Sequence, residues 1–178
     1  MSLPRNDRYR GWSRATALIL LLLGTGWVSA LPDDRDQPIH ITADQALRDE
    51  KKGMTVYSGN VHMSQGSLQI SADKITIFHS AEELDRVIAE GSPATLQQQP
   101  DPDKGPVHAR ARVITYFRTE ERVHLQREAH IEQDGAIVTG NSIDYLVAEE
   151  LVKADSDQQE AGSRVQVVIP PQATQEDR

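Results

Sequence analysis

Cysteine is absent from the 178 residues, so neither a disulfide nor a thiolate-bound metal can staple the chain. Stability has to come from backbone hydrogen bonds and aliphatic burial. Aromatic residues make up only 4% of the sequence, and both tryptophans, Trp12 and Trp27, fall within the first thirty positions. Beyond residue 30 the aromatics are Tyr57, Phe78, Tyr116, Phe117 and Tyr145, too few for the exposed Trp or Tyr platforms of a glycan-binding face. A nucleophile elbow, a glycine-rich phosphate loop and an HExxH motif are all missing. Positive charge is also scarce, with 19 Lys and Arg against 27 Asp and Glu, a net charge of −8. That balance argues against nucleic acid as the main partner, because its binding is dominated by phosphate neutralisation.

Long hydrophobic runs are missing too, with one exception near the N-terminus. Arg5, Arg8, Arg10 and Arg14 precede the apolar stretch Ala15 to Leu23, which Gly24 interrupts. Val28-Ser29-Ala30 then offers small residues at a cleavage position before Leu31. This is the three-part pattern of a secretory signal peptide. The apolar stretch falls short of the roughly 20 residues needed to span a bilayer as a helix. Residues 1–30 are therefore expected to be helical in their apolar part and to be removed between Ala30 and Leu31. Cleavage takes away four arginines and Asp7, leaving 148 residues with a net charge of −11. A chain of that length suits one domain.

What the rest of the chain does have is period-two alternation. In Tyr57 to Ile77, Val61 and Met63 alternate with His62 and Ser64, Leu68 and Ile70 with Gln69 and Ser71, and Ile75 and Ile77 with Lys74 and Thr76. The turn-forming pairs Gly59-Asn60, Gln65-Gly66 and Ala72-Asp73 separate three short strands, the signature of a half-buried antiparallel sheet. The pattern returns 68 residues later, where Ala129 and Ile131, Ala136 and Val138, and Ile143 and Tyr145 take the equivalent positions. His62 and His130, Gln65 and Gln133, and Ile75 and Ile143 are identical at this offset. Two readings follow: a duplicated meander, or the self-similarity of any meander built from a short menu of turns. The strand before each unit differs in phase, with Met54 and Val56 as inward candidates in one and Val123 and Leu125 in the other, which calls for a bulge or an inserted residue.

Elsewhere, residues 31–38 read as a flexible lead-in and Ile39-His40-Ile41 as the first strand. Residues 42–45 read as a turn, 48–53 as a charged connection and 79–85 as a loop. Arg86 to Glu90 and Ala94 to Gln99 read as short strands flanking Gly91-Ser92-Pro93. Pro100 to Pro106 is a loop, because proline cannot donate to a ladder. Leu151 to Ala154 and Arg164 to Ile169 close the ordered part before Pro170-Pro171 and a disordered tail, 170–178. No segment sustains 3.6-residue periodicity, so the expectation is an all-β domain over residues 39–169 with eleven to sixteen short strands.

Candidate chemistry is sparse. His40, His62, His108 and His130 form two pairs at the repeat offset, yet alternation turns His62 and His130 away from the apolar face, so a solvated surface is favoured over metal ligation. Carboxylates are so numerous that chance pairs are inevitable, and no catalytic pair stands out. Arg110, Arg112, Arg118, Arg122 and Arg127 make one locally basic stretch, read either as a solvated strand face or as a contact for ligand phosphates.

Asp36-Gln37-Pro38-Ile39-His40-Ile41, Ser58-Gly59-Asn60-Val61, Ser64-Gln65-Gly66, Ile70-Ser71-Ala72-Asp73-Lys74-Ile75 and Gly91-Ser92-Pro93-Ala94-Thr95, in this order and spacing, resemble the OstA-like family. The resemblance covers residues 36–169 and is looser in the second half, where Ala129-His130-Ile131 and Gly140 to Tyr145 carry it. It implies an open, twisted antiparallel β-jellyroll of about sixteen strands with an apolar interior groove. It further implies a periplasmic, non-enzymatic protein without cofactor or metal, which binds lipopolysaccharide through its lipid A acyl chains.

On that resemblance the acyl-chain groove consists of Ile39, Ile41, Val61, Met63, Leu68, Ile70, Ile75, Ile77, Ile131, Val138, Ile143 and Tyr145. The implied partners are an inner-membrane transport complex with an anchored protein of similar fold, an outer-membrane lipopolysaccharide translocon, and further copies of the same chain. Ile39, His40 and Ile41 at one edge and Val165, Val167 and Ile169 at the other are the expected head-to-tail assembly surfaces. Competing readings are the inner-membrane-anchored sister component, a periplasmic glycan-binding β-sandwich and a solid-cored structural filament. N-terminal sequencing of the exported protein should give Leu31, whereas Met1 would indicate a retained anchor.

Overall fold

The computed structural model describes residues 34–80, 83–101, 104–157 and 163–171. The expected signal-peptide helix, the Ala30–Leu31 cleavage site and the tail from residue 172 lie outside the described residues. Among these, the only helical element is a single 3-10 turn, Asp34–Asp36. Ten strands follow: β1 (His40–Thr42), β2 (Gln45–Asp49), β3 (Met54–Gln65), β4 (Leu68–Ser80), β5 (Glu83–Gln98), β6 (Val107–Phe117), β7 (Arg122–Gln133), β8 (Ala136–Leu146), β9 (Leu151–Asp155) and β10 (Gln166–Val168). All belong to one antiparallel sheet of order β1-β3-β4-β5-β6-β7-β8-β10, with β2 also pairing β3 and β9 also pairing β8. The first and last rows do not pair with each other, so the sheet is open.

Six strands run continuously through both halves of the sheet; Gly59-Asn60 and Ala72-Asp73, read as turns, and Gly91-Ser92-Pro93, read as a separator, lie within β3, β4 and β5. The register slips between Ser58 and Val61 in β3, Ser71 and Lys74 in β4, Glu90 and Ala94 in β5, Arg110 and Val113 in β6, and Gln126 and Ala129 in β7. These slips align. One unbroken row, Ser58-Lys74-Glu90-Val113-Gln126-Ser142, borders them on one side, and Ser71-Thr95-Arg110-His130-Thr139 borders them on the other. A crease therefore crosses the sheet and divides it into two arms. The strands therefore number ten rather than the expected sixteen or so, because six of them run through both arms.

Three segments read as connections are ordered otherwise. Residues 45–49 form β2 against β3, with Leu47 opposite Val56. The 79–85 region is strand on both sides of a tight connection, since His79 pairs Leu84 and Ser80 pairs Glu83. The lead-in is anchored from Asp34 onward. Asp34 Oδ1 accepts from the Ser67 amide at 2.6 Å, and its Oδ2 accepts from Ser67 Oγ at 2.6 Å and from Gln98 Nε2 at 3.1 Å. A short polar stretch looks flexible by composition alone, but its carboxylate finds three donors at the β3–β4 and β5 ends.

The 68-residue offset is a structural repeat. β3 and β7 coincide at this offset to the residue, as do the starts of β4 and β8. Gln65 pairs Leu68 as Gln133 pairs Ala136, and Tyr57 pairs Ile75 as Leu125 pairs Ile143. Left-handed backbone recurs at Gly53 and Glu121, Gly59 and Arg127, Asn60 and Glu128, and Gly66 and Asp134. His79 donates its amide to the Gly53 carbonyl at 2.8 Å, and Val147 donates to Glu121 at 2.9 Å. The Gln65 side chain donates to the Gln37 carbonyl at 3.0 Å, and the Gln133 side chain donates to Gly105 at 3.2 Å. There is no phase difference between the copies. Thr55 and Tyr57 take the inward places of Val123 and Leu125, while Met54 and Val56 point the other way. Apolar identity favours Met54 and Val56, but the pleat places a buried threonine inward.

The first left-handed bulge position is Gly59 in one copy and Arg127 in the other, which yields a paired expectation. A non-glycine residue there costs about 1–2 kcal/mol, partly offset by glycine's larger unfolded-state entropy. Arg127→Gly should leave stability unchanged or raise it slightly. Gly59→Ala should lower it by about 1–2 kcal/mol or more, since a Cβ there would collide with the Asp44 side chain. Chemical denaturation of both variants checks the asymmetry.

Candidate functional site

A single sheet with no helix over it can bury one face only by folding that face upon itself. Val61, Met63, Leu68, Ile70, Ala94, Leu96, Val107, Ala109, Ala111, Ala129 and Ile131 line one arm, and Ile75, Ile77, Val87, Ala89, Ile114, Tyr116, Val123, Leu125, Ile143 and Tyr145 line the other, all of them buried in one cluster. Facing sheets pack about 10 Å apart, and along the crease that spacing must shrink. The residues there are accordingly small: Ala94 pairs Ala111, and Ala129 pairs Gly140. The far tips of the arms also meet, because Lys104, in the β5–β6 connection beside one tip, forms an ion pair with Glu150, in the β8–β9 turn at the other, at 2.5 Å.

Eleven of the twelve expected groove residues share this interior. Val61, Met63, Leu68, Ile70, Ile75, Ile77, Ile131, Ile143 and Tyr145 are buried, while Ile41 and Val138 are half-buried and packed against the cluster. Ile39 does not join them; it is 37% exposed, one residue before the first paired position of β1, where no neighbouring strand covers it. Val123 and Leu125 of β7, named as inward candidates, are buried, while the buried residues that sequence alternation leaves unassigned come chiefly from β5 and β6, including Val87, Leu96 and Ile114. Their alternation is present, but alanines at every second place in β5 and β6 make it faint.

Polar groups sit at the rims and on the outside. Phe78, Arg86, Phe117 and Arg122 pair in sequence across β4 to β7 on the outer face. The Arg86 guanidinium lies 4.5 Å from the Phe78 ring centroid and that of Arg122 lies 4.0 Å from Phe117, a ladder of cation–π contacts. Arg122 also donates to Glu120 at 2.7 Å and to Asp144 at 2.8 Å. Of the basic stretch, Arg112 and Arg122 thus hold carboxylates, Arg112 through Glu128 at 2.9 Å. His40, His62 and His108 are exposed, and His62 Nδ1 lies 2.9 Å from Ser71 Oγ. Among the described residues no three His, Asp or Glu side chains converge as metal ligands would.

The geometry defines a class first: an open β-jellyroll whose interior is aliphatic, lacks catalytic groups among its described lining, and is bounded by unpaired edges. A family profile described as "LptA/(LptD N-terminal domain) LPS transport protein" matches residues 40–151. The chain is 37% identical over 133 residues to the lipopolysaccharide export system protein LptH of Pseudomonas aeruginosa, covering 74% of this chain and 76% of that protein. It is 34% identical over 149 residues to the lipopolysaccharide export system protein LptA of Escherichia coli strain K12, covering 83% and 78%. The crystal structure of LptH, described as the LptA-homologous periplasmic component of the lipopolysaccharide transport device of P. aeruginosa, superposes with a TM-score of 0.73 at 35% identity, covering 79% of this chain and all of that one. The chain belongs to the LptA/LptD N-terminal domain family of lipopolysaccharide transport proteins.

Burial raises the Tyr145 phenol above its ordinary value, reinforced by Glu150 and opposed by Lys104. The folded state then keeps a proton that the unfolded chain releases above about pH 10, so stability falls as the pH rises beyond that point. The hydrogen bond that Lys104 donates to Glu150 likewise raises the Lys104 ammonium and acts in the same direction. Tyr145→Phe should unfold at the wild-type temperature at pH 8 and show a shallower loss at pH 10.5 to 11 in thermal denaturation.

Proposed function

We propose that this protein is a periplasmic lipopolysaccharide carrier. It holds lipid A acyl chains between its two arms and passes lipopolysaccharide across the periplasm as part of a head-to-tail bridge. The observation that carries this reading is the interior itself: a continuous aliphatic face enclosed by one folded sheet whose edge rows are not joined by a ladder. Flexible acyl chains need apolar area rather than fixed hydrogen bonds, and this face offers almost only that. Tyr116 and Tyr145 are the only buried aromatics in it, and both lie away from the crease. Entry of a chain requires the arms to part, which involves the exposed Lys104–Glu150 ion pair at their tips and no backbone ladder between edge rows.

Magnitude favours a bridge over a dissociating shuttle. At about 0.8 kcal/mol per methylene, wetting an acyl chain of roughly ten carbons costs about 8 kcal/mol, and the ligand has several chains. A continuous groove lets the chains slide without being wetted. The edges support such continuity. Among the described residues, the large hydrophobics with more than a third of their surface exposed are Ile39, Leu47, Leu151, Val152, Val165, Val167, Val168 and Ile169, all on the first or last row of the sheet. β1 and β10 are opposite edges, so joining one to the other makes a heterologous contact that propagates without closing. The partners on this reading are further copies of the chain, an inner-membrane-anchored protein of similar fold and an outer-membrane translocon.

Two experiments follow. Ile75→Asp with Ile143→Asp, if the protein still folds by circular dichroism, should abolish photo-crosslinking of lipopolysaccharide from an adjacent inward position; undiminished crosslinking would refute the interior site. Truncation before Arg164 removes β10, whose three residues are all exposed. The truncated chain should keep its folded spectrum and lose concentration-dependent oligomers in light scattering, and equal oligomerisation at matched concentration would rule out the edge contact.

A further inference from the structure

On the outer face, beside the crease and next to the last edge, lies a cavity of about 660 Å³. Its lining brings together Arg110 and Arg112 of β6, Glu128 of the β7 bulge, Asn141 of β8, and Arg164 and Gln166 at β10. The register explains the convergence, since Arg110, His130, Thr139 and Gln166 are consecutive partners across β6, β7, β8 and β10. Three guanidiniums meet here in a chain that carries eight more acidic than basic side chains. Among the described residues the one carboxylate in the lining, Glu128, is already engaged by Arg112 through both Nε at 3.0 Å and a terminal nitrogen at 2.9 Å. Arg110 and Arg164 have no carboxylate or hydrogen-bond partner among the described residues, and both are exposed. The rest of the wall is neutral and rich in hydrogen-bonding groups, with Asn141, Thr139, Ser163 and Gln166 available to hydroxyls.

We propose that this cavity is a binding site for a phosphorylated saccharide, with the Arg110 and Arg164 side chains on the phosphate and the amides and hydroxyls on the sugar. Guanidinium groups match phosphate through paired N–H donors, which an ammonium cannot do, so arginine is the informative residue type here. The volume falls in the range of small-ligand sites and accommodates one or two sugar units. An outer-face site would hold the polar part of a ligand apart from the interior, where the acyl chains lie on the reading above. The inference rests on that reading for its natural source, the phosphorylated head of lipopolysaccharide, but the chemistry itself requires only an anionic sugar.

The test uses the full-length protein and the Arg110→Gln, Arg164→Gln double variant, with Arg110→Lys, Arg164→Lys to keep charge without the paired donors. Binding of bisphosphorylated lipid A, of the same lipid A after phosphate removal, and of soluble glucosamine 1-phosphate is measured by titration at two salt concentrations. The Gln variant should lose roughly tenfold in affinity for the bisphosphorylated lipid, as expected for exposed charge-assisted contacts. It should bind the dephosphorylated lipid as the wild type does, and the Lys variant should recover only part of the loss. Arginine-dependent binding of glucosamine 1-phosphate without binding of either lipid would uphold the site while defeating the carrier function. Equal affinity of wild type and Gln variant for the phosphorylated probes would overturn the site, and so would indistinguishable weak binding of inorganic phosphate and glucosamine 1-phosphate.

Discussion

Everything in this molecule depends on one constraint: a lone antiparallel sheet has to cover its own apolar face. With no helix and no second sheet available among the described residues, the covering layer must be the other half of the same strands. The aligned register slips are the device that permits it. Extra residues in β3, β5 and β7 shift the register of all five neighbouring pairs at the same level, and because each such insertion bends its strand locally, the aligned kinks make a hinge line. The small residues along that line, Ala94, Ala111, Ala129 and Gly140, allow the arms to converge. The left-handed residues Gly59, Asn60, Arg127 and Glu128 absorb the backbone reversal. The price of the architecture is an open pair of edges, because a sheet folded along a crease perpendicular to its ladder has no geometric reason to join its first and last rows.

Much of this was legible in the residues. Of the twelve positions that alternation turns inward, nine are buried and two more pack against them, since the pleat has a period of two that no tertiary contact can alter. Sequence reading failed where a local signal had two physical meanings. Gly59-Asn60 and Ala72-Asp73 carry turn chemistry, and a two-residue bulge draws on the same chemistry, so continuous strands were read as broken ones. Only the identity of the partner row decides between turn and bulge, and partner rows are long-range information. Ile39 shows the complementary limit: its phase is right, but the strand ends before a neighbour can cover it.

The repeat illustrates how weak identity can conceal strong geometry. Gln65 with Gln133 is one of a handful of identities at the 68-residue offset, and each of the two clamps the carbonyl found 28 residues earlier, Gln37 or Gly105. Glycine at position 59 and arginine at position 127 share no chemistry, yet both hold a left-handed bulge. What is kept between the copies is the backbone path and its few special hydrogen bonds. Side chains on the outer face are free to diverge, and they do. Lys74 pairs Glu90 beside the first copy, whereas beside the second Arg112 pairs Glu128 and, among the described residues, Arg110 has no carboxylate partner.

That divergence on one face, under a fixed path on the other, bears on how such a chain could handle an amphiphile. The interior recognises by area and is tolerant of the details of an acyl chain; dispersion and desolvation scale with contact and impose little orientation. Orientation has to come from polar groups, and polar groups inside the crease would be buried without partners at a cost of about 1–3 kcal/mol each. Among the described residues the only buried polar ones are Thr55, Gln65, Thr76 and Thr115, and the Gln65 amide is satisfied by the Gln37 carbonyl. Directional chemistry is therefore confined to the rims, the edges and the outer face, where water screens the charges and guanidiniums can stand unpaired. On the proposed carrier role, an interior that lets its cargo slide and polar discrimination placed outside it are the division that this sheet's single buried face would impose.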